Sequence, residues 1–168
     1  RNERSRVRTF KGHSRSVSSL CLLKDGTILV SSGDDQAVRV WDVVSGGLIR
    51  SLNQHTGFVH NLAVRPSSDG LPMVASAAAD RTIRFWQPTI GRMVRYIRLD
   101  TEPLDIAWLN DGTQLVAACV DGQIRVVNAD EVKVTQTFPG IKGWAYAIAV
   151  HPSDGSVVVA GTNGQIRR

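Results

Sequence analysis

The chain has 168 residues, 42% hydrophobic and 6% aromatic, and 20 Lys and Arg against 15 Asp and Glu give it a net charge of +5. That length can bury a substantial core. The absence of any run of 18 apolar residues argues against a membrane-spanning helix, and two cysteines, Cys21 and Cys119, make no disulfide framework.

The charge is uneven. Arg1, Arg4, Arg6 and Arg8 stand against Glu3 in the first eight residues. A basic arm of this kind could touch phosphate or an acidic surface. A solvated strand end is the simpler reading, and no basic stripe interleaved with aromatics accompanies it. Nucleic acid is therefore not an expected partner. No secretory signal is visible and the first residue is Arg1, so the expectation is a piece of a longer protein with a cytoplasmic setting.

Read in order, the chain repeats itself at intervals of 41 to 45 residues. The first copy begins at Gly12-His13, runs through an apolar strand to Asp25-Gly26, passes Ser31 and Asp35 and ends at Trp41-Asp42. The second carries His55, Ser76, Asp80 and Trp86. A third and a fourth keep the strands and lose the polar marks, with Leu99, Ala117, Asp121 and Val127, then Ile141, Val159 and Asn163. Leu20, Leu62, Ile106 and Ile148 hold one equivalent position on the first strand. Approximate repeats are 9–52, 53–98, 99–138 and 139–168, the last truncated in its third strand.

Within each copy the signals are those of β structure. Val38–Trp41 and Ile83–Trp86 are β-branched and aromatic. Ile28–Val30, Met73–Ala75, Leu115–Ala117 and Val157–Val159 are short apolar runs that suit doubly buried strands. Asp111-Gly112, Asp121-Gly122, Asp154-Gly155 and Asn163-Gly164 supply the positive φ of tight turns. A fourth run closes each unit at Leu48–Leu52, Met93–Leu99 and Val132–Phe138. Four hairpin-linked strands with no helix-length amphipathic segment predict an all-β protein, with each repeat one four-stranded antiparallel blade of a β-propeller.

Gly12-His13 followed by Trp41-Asp42 resembles the WD-repeat family, over essentially residues 5–168. The resemblance implies a buried tetrad in each of the first two blades: His13, Ser31, Asp35 and Trp41, then His55, Ser76, Asp80 and Trp86. Physics supplies a reason, because a buried indole N–H and a buried imidazole both need partners. Removing one member should cost about 1–3 kcal/mol. Blades three and four should substitute apolar packing. The family more often has about seven or eight blades, so these four are expected to form part of a larger propeller. The other arrangement is a closed ring of four, with residues 5–10 completing the last blade.

Each tetrad also contains the residue types of a Ser-His-Asp triad. Recurrence in two successive repeats, with a Trp coupled to each, argues for structural use, so no catalytic residue is assigned. His55 and His60 stand five apart with no further ligand at metal spacing, so no metal site is assigned, and no cofactor is implied. Arg39, Arg84, Arg125 and Arg167 share one equivalent position, and each is expected to pair with its own blade. The cysteines read as buried small hydrophobes.

The resemblance places functional positions at the start of each first strand, on the top face. Three residues past the His slot stand Ser16, Phe58, Glu102 and Trp144; two further on stand Ser18, His60, Leu104 and Tyr146; just before the turn Asp stand Asp34, Ala79, Val120 and Thr162. The candidate partner-binding set is Phe58, His60, Glu102, Trp144, Tyr146, Asp34 and Ser16. Exposed aromatics gathered on one face suggest an interface hot spot. For Trp144 and Tyr146, filling the gap left by missing tetrads is an equal alternative. The expected function is a non-catalytic scaffold that presents this face to a protein or peptide partner. The alternative is an accessory or regulatory propeller domain of a larger enzyme or signalling protein. An open fragment would also be prone to self-association.

Overall fold

The structure is a computed structural model, and it describes residues 8–23, 26–66 and 70–168. The arginine arm up to residue 7, residues 24–25 (with Asp25) and residues 67–69 lie outside the described residues, and with them half of the proposed 5–10 strand.

The described residues form fifteen strands and no helix. Blade 1 contains β1 (Val17–Leu23), β2 (Ile28–Gly33), β3 (Val38–Asp42) and β4 (Leu48–Leu52). Blade 2 contains β5 (Val59–Val64), β6 (Val74–Ala78), β7 (Thr82–Gln87) and β8 (Arg92–Arg98). Blade 3 contains β9 (Pro103–Trp108), β10 (Gln114–Cys119), β11 (Gln123–Asn128) and β12 (Lys133–Pro139). Blade 4 has three strands, β13 (Ala145–Val150), β14 (Val157–Gly161) and the two-residue β15 (Ile166–Arg167). Every sheet is an antiparallel meander in sequence order.

The repeat holds at the level of register. Leu20 faces Ser31, which faces Arg39. Leu62, Ser76 and Arg84 line up in the same way. So do Ile106, Ala117 and Arg125, and then Ile148, Val159 and Arg167. The turn after each second strand needs a positive φ, and this falls on Gly122 at 77° and Gly164 at 70°. In blades 1 and 2 it falls on Gln36 at 66° and Arg81 at 62°, where a side chain is held in a conformation glycine prefers.

The blades stack through apolar faces. Val30, Val40 and Leu52 pack with Leu62, Val74 and Trp86 between blades 1 and 2. Phe85 and Ile97 pack with Ile106, Trp108 and Leu115 between blades 2 and 3. Val116 and Ile124 pack with Ile148 and Val159 between blades 3 and 4. Polar clasps run along the innermost strands. Ser18 Oγ donates to Val59 O, and Leu62 N donates to Ser19 Oγ at 3.2 Å. Asn61 Nδ2 donates to the Asp105 carboxylate, whose other oxygen accepts from Ile148 N at 2.8 Å, so Asp105 ties three blades together.

One face of the array is bare. Leu62, Ile106 and Ile148 are all buried, yet their counterpart Leu20 is 64% exposed, with Val17 and Leu22 uncovered beside it. The others are covered by the preceding blade, and among the described residues no preceding blade lies against β1. The four blades are thus part of a propeller, with β1 as the free inner face.

Candidate functional site

The two tetrads are assembled from the residues named above. In blade 1, Trp41 Nε1 donates to Ser31 Oγ at 2.8 Å, and Ser31 Oγ lies 2.7 Å from His13 Nε2. His13 Nδ1 lies 2.8 Å from Asp35. In blade 2 the same chain runs from Trp86 to Ser76 at 2.8 Å, Ser76 to His55 at 2.6 Å and His55 to Asp80 at 2.9 Å. In blade 2 one proton assignment satisfies every member. The serine accepts from the indole and donates to Nε2, so the imidazole is the neutral Nδ1–H form and donates to the carboxylate. Burial pushes the His55 pKa down, against the opposing pull of Asp80. Burial would raise both carboxyl groups, but hydrogen bonds from His13, Ser14 N and Arg39 hold Asp35 down to about 2, and those from Thr82, Thr56 N and His55 hold Asp80 down to about 2.

Both serine hydroxyls are buried and committed to Trp and His, so no substrate carbonyl can reach them. Blade 3 replaces the network with buried Leu99, Ala117 and Val127, and blade 4 with Ile141 and Val159.

The arginines in register each find a partner in their own blade. Arg39 reaches Asp35 at 2.5 Å, and Arg84 stacks over the Tyr96 ring at 5.3 Å. Arg125 grips Asp121 with two nitrogens at 3.1 and 2.8 Å, and Arg167 donates to Gly140 O at 2.5 Å. Cys119 is buried, with its thiol pushed up to about 11. Cys21 is only partly buried, which corrects the expectation for that residue; it sits at the margin of the apolar cluster between blades 1 and 2.

The end of the array beside the His slots is built by one repeated device. In all four blades the backbone N–H just before the turn position donates to the residue three past the His slot. The pairs are Asp34 to Ser16 O, Ala79 to Phe58 O, Val120 to Glu102 O and Thr162 to Trp144 O, at 2.8 to 3.1 Å. Next to each pair the first strand bulges, between Val17 and Ser19, Val59 and Asn61, Pro103 and Asp105, and Ala145 and Ala147. The extra residues are Ser18, His60, Leu104 and Tyr146. A bulge leaves its residue unpaired and re-aims its side chain, a common device beside binding sites.

Three of those bulge residues meet in a cup. His60, Glu102, Leu104, Val120, Asp121, Trp144 and Tyr146, drawn from blades 2, 3 and 4, line an open cavity of about 640 Å³. His60 Nε2 lies 2.6 Å from Glu102 Oε1. Trp144 and Tyr146 are 51% and 50% exposed and meet edge to face, with centroids 5.8 Å apart and planes at 70°. Trp144 is pinned at its backbone, where its N donates to Thr162 Oγ1 at 3.0 Å. Gly161 gives it room: a Cβ there would stand 1.9 Å from Trp144 O.

Of the seven candidate residues the structure brings four together: His60, Glu102, Trp144 and Tyr146. Phe58 is exposed at the equivalent position of blade 2 but does not line the cup, and neither do Ser16 and Asp34 at the blade 1 end. Leu104, Val120 and Asp121 line it without having been selected. Leu104 and Val120 stand at the same repeat positions as His60 and Asp34. Asp121 arrives through a loss: with Leu99 in the His slot, no imidazole covers it. Its side chain is 33% exposed, against 5% for Asp35 and 4% for Asp80. Burial would raise the Asp121 carboxyl, but the hydrogen bond from Arg125 holds it below the usual range. Arg125 also reaches Asp100 at 2.9 Å.

The sequence matches the profile of the WD domain, G-beta repeat family over residues 4–42, 46–87 and 100–128. The chain belongs to that family. It is 28% identical over 130 residues to THO complex subunit 3 of Arabidopsis thaliana, covering 75% of this chain and 41% of that protein. It is 29% identical over 166 residues to the anaphase-promoting complex subunit cdc20 of Dictyostelium discoideum, covering 96% of this chain and 33% of that one. It is 29% identical over 108 residues to eukaryotic translation initiation factor 3 subunit I of Sclerotinia sclerotiorum, covering 64% and 31%. The chain therefore spans about a third to two-fifths of the length of these relatives.

Proposed function

We propose that this chain is a non-catalytic interaction scaffold whose cup end receives a protein or peptide partner. The observation that carries the reading is the Trp144–Tyr146 pair. Two large aromatic side chains are held half-exposed, edge to face, in a cavity built by three blades. Rigid aromatics in a concave site are what interface hot spots use. The filler alternative for these two side chains is weaker, because Ile141 and Val159 already occupy the fourth tetrad's place. The tetrads act beneath this surface. They fix the first two blades and contribute no reacting group.

A second reading has its own support. The relatives are named as subunits of complexes, and this chain is short beside them. It fits an accessory or regulatory propeller segment within a larger signalling protein or enzyme. Both readings place the contact at the cup. The bare β1 face with Val17, Leu20 and Leu22 offers a separate surface for self-association.

The test is affinity capture from a source extract, comparing wild type with a Trp144→Ser/Tyr146→Ser variant that circular dichroism shows to be folded. A partner held by the wild type and lost by the variant is the expected outcome. Equal retention would move the binding site elsewhere.

A further inference from the structure

The chemistry of the cup narrows the partner. We propose that it is a subsite for a cationic side chain, best an arginine, of the docked peptide; this rests on the cup being the docking site.

The lining is acidic and aromatic together. Glu102 and Asp121 are in the wall; Asp121 and Asp100 both pair with the Arg125 guanidinium, and Glu102 pairs with His60. That guanidinium is itself 5% exposed and turned into its blade, so it does not present its charge to the cavity. Glu102 uses Oε1 for His60, which leaves Oε2 to accept from a ligand. Lys142, two residues before Trp144, is not part of the lining.

A cation is drawn to the faces of indole and phenol rings as well as to carboxylates, and an anion is repelled by both. A neutral apolar side chain would satisfy the rings and leave the carboxylates desolvated without a partner, which costs binding. Arginine fits better than lysine in kind. Its flat guanidinium can lie on an aromatic face while its edge donates to a carboxylate. The two half-exposed rings of the edge-to-face pair offer a ring face on which a planar cation can stack. The arrangement arises from the repeat. Blade 3 lost the histidine that would have covered its turn carboxylate, and blade 4 carries aromatics at both positions where blade 1 has Ser16 and Ser18.

The experiment uses the whole chain, ¹⁵N-labelled, and follows the Trp144 indole N–H resonance, assigned by its loss in Trp144→Phe. The probes are acetyl-Ala-Arg-Ala-amide and its citrulline counterpart, which keeps the shape and removes the charge. The arginine peptide should bind about tenfold more tightly than the citrulline peptide. Glu102→Gln should cut that preference to less than about threefold while the Trp41 and Trp86 indole resonances stay in place. Equal affinities for the two peptides, no saturable shift with either, or an unchanged preference in a folded Glu102→Gln protein would overturn the assignment. Failure of the docking reading looks different. If the captured partner is lost on Trp144→Ser/Tyr146→Ser but arginine shows no advantage over citrulline, the cup binds a partner and the cation assignment alone falls.

Discussion

Replacing His55 by leucine puts blade 2 in the state that blade 3 already occupies with Leu99. The change removes two hydrogen bonds, His55 Nδ1 to Asp80 at 2.9 Å and Ser76 Oγ to His55 Nε2 at 2.6 Å. Asp80 keeps Thr56 N at 3.0 Å and both donors of Thr82, so it loses one charge-assisted bond and is not orphaned. That bond contributes about 1.5–3 kcal/mol. Ser76 still accepts from Trp86 but is left with a hydroxyl proton that has no acceptor, at a cost of about 1 kcal/mol. The leucine returns about 1 kcal/mol by burying more apolar surface. The net loss is about 2 kcal/mol, or about 4–8 °C in melting temperature for a chain of this length. Urea unfolding followed by far-ultraviolet circular dichroism gives the number. Ser76→Ala removes the stranded hydroxyl, so the double variant should be less destabilised than the sum of the two single changes, by about 1 kcal/mol. A loss under about 0.5 kcal/mol, or strict additivity, would show that the tetrad does not act as a network.

Two further outcomes follow from the same geometry. Gln36, held at φ 66°, occupies the position that is Gly122 and Gly164 in later blades, so Gln36→Gly should stabilise the chain by about 0.5–1 kcal/mol in the same urea assay. Acidification should weaken the fold in two stages. Folded His55 takes a proton less readily than the ordinary value of 6.5, so the unfolded chain binds more protons and stability falls as the pH drops below that value. Folded Asp35 and Asp80 titrate at about 2 instead of 3.8, so the stability they contribute is present above about pH 4 and is lost between about 4 and 2. His55→Leu should flatten the upper limb and shrink the Asp80 share of the lower one, leaving the Asp35 share in place. An upper limb that survives in the variant would assign it to another group.

The sequence made the architecture legible because a blade is a local object. Turn pairs such as Asp121-Gly122 and runs such as Leu115–Ala117 lie within one hairpin, and their repetition sets the strand register without any knowledge of long-range packing. The tetrad members were legible for the same reason, since each lies within a single repeat. Other features depend on neighbouring blades. Asp105 reads as an ordinary strand acid, yet it joins Asn61 to Ile148 N because three inner strands converge. Leu20 reads as equivalent to Leu62 and is nevertheless bare, because burial there is supplied by the preceding blade. The cup was half visible. Trp144 and Tyr146 are conspicuous at their repeat positions, whereas Asp121 enters only because Leu99 stands where a histidine would have covered it. Phe58 shows the converse. It holds the same repeat position as Trp144, but the cavity forms between blades 2, 3 and 4 and its lining does not include Phe58.

Two tyrosines allow a direct test of the claim that partners dock at the cup. Tyr146 in the cup and Tyr96 on the outer strand β8 are 50% and 51% exposed. A photo-crosslinking phenylalanine analogue at each site, irradiated in source extract, compares the two surfaces at equal accessibility. Substitution at Tyr146 should yield a discrete crosslinked partner, and substitution at Tyr96 should not. A partner trapped from position 96 and absent from 146 would place the interaction on the outer edge of the blades and contradict the account.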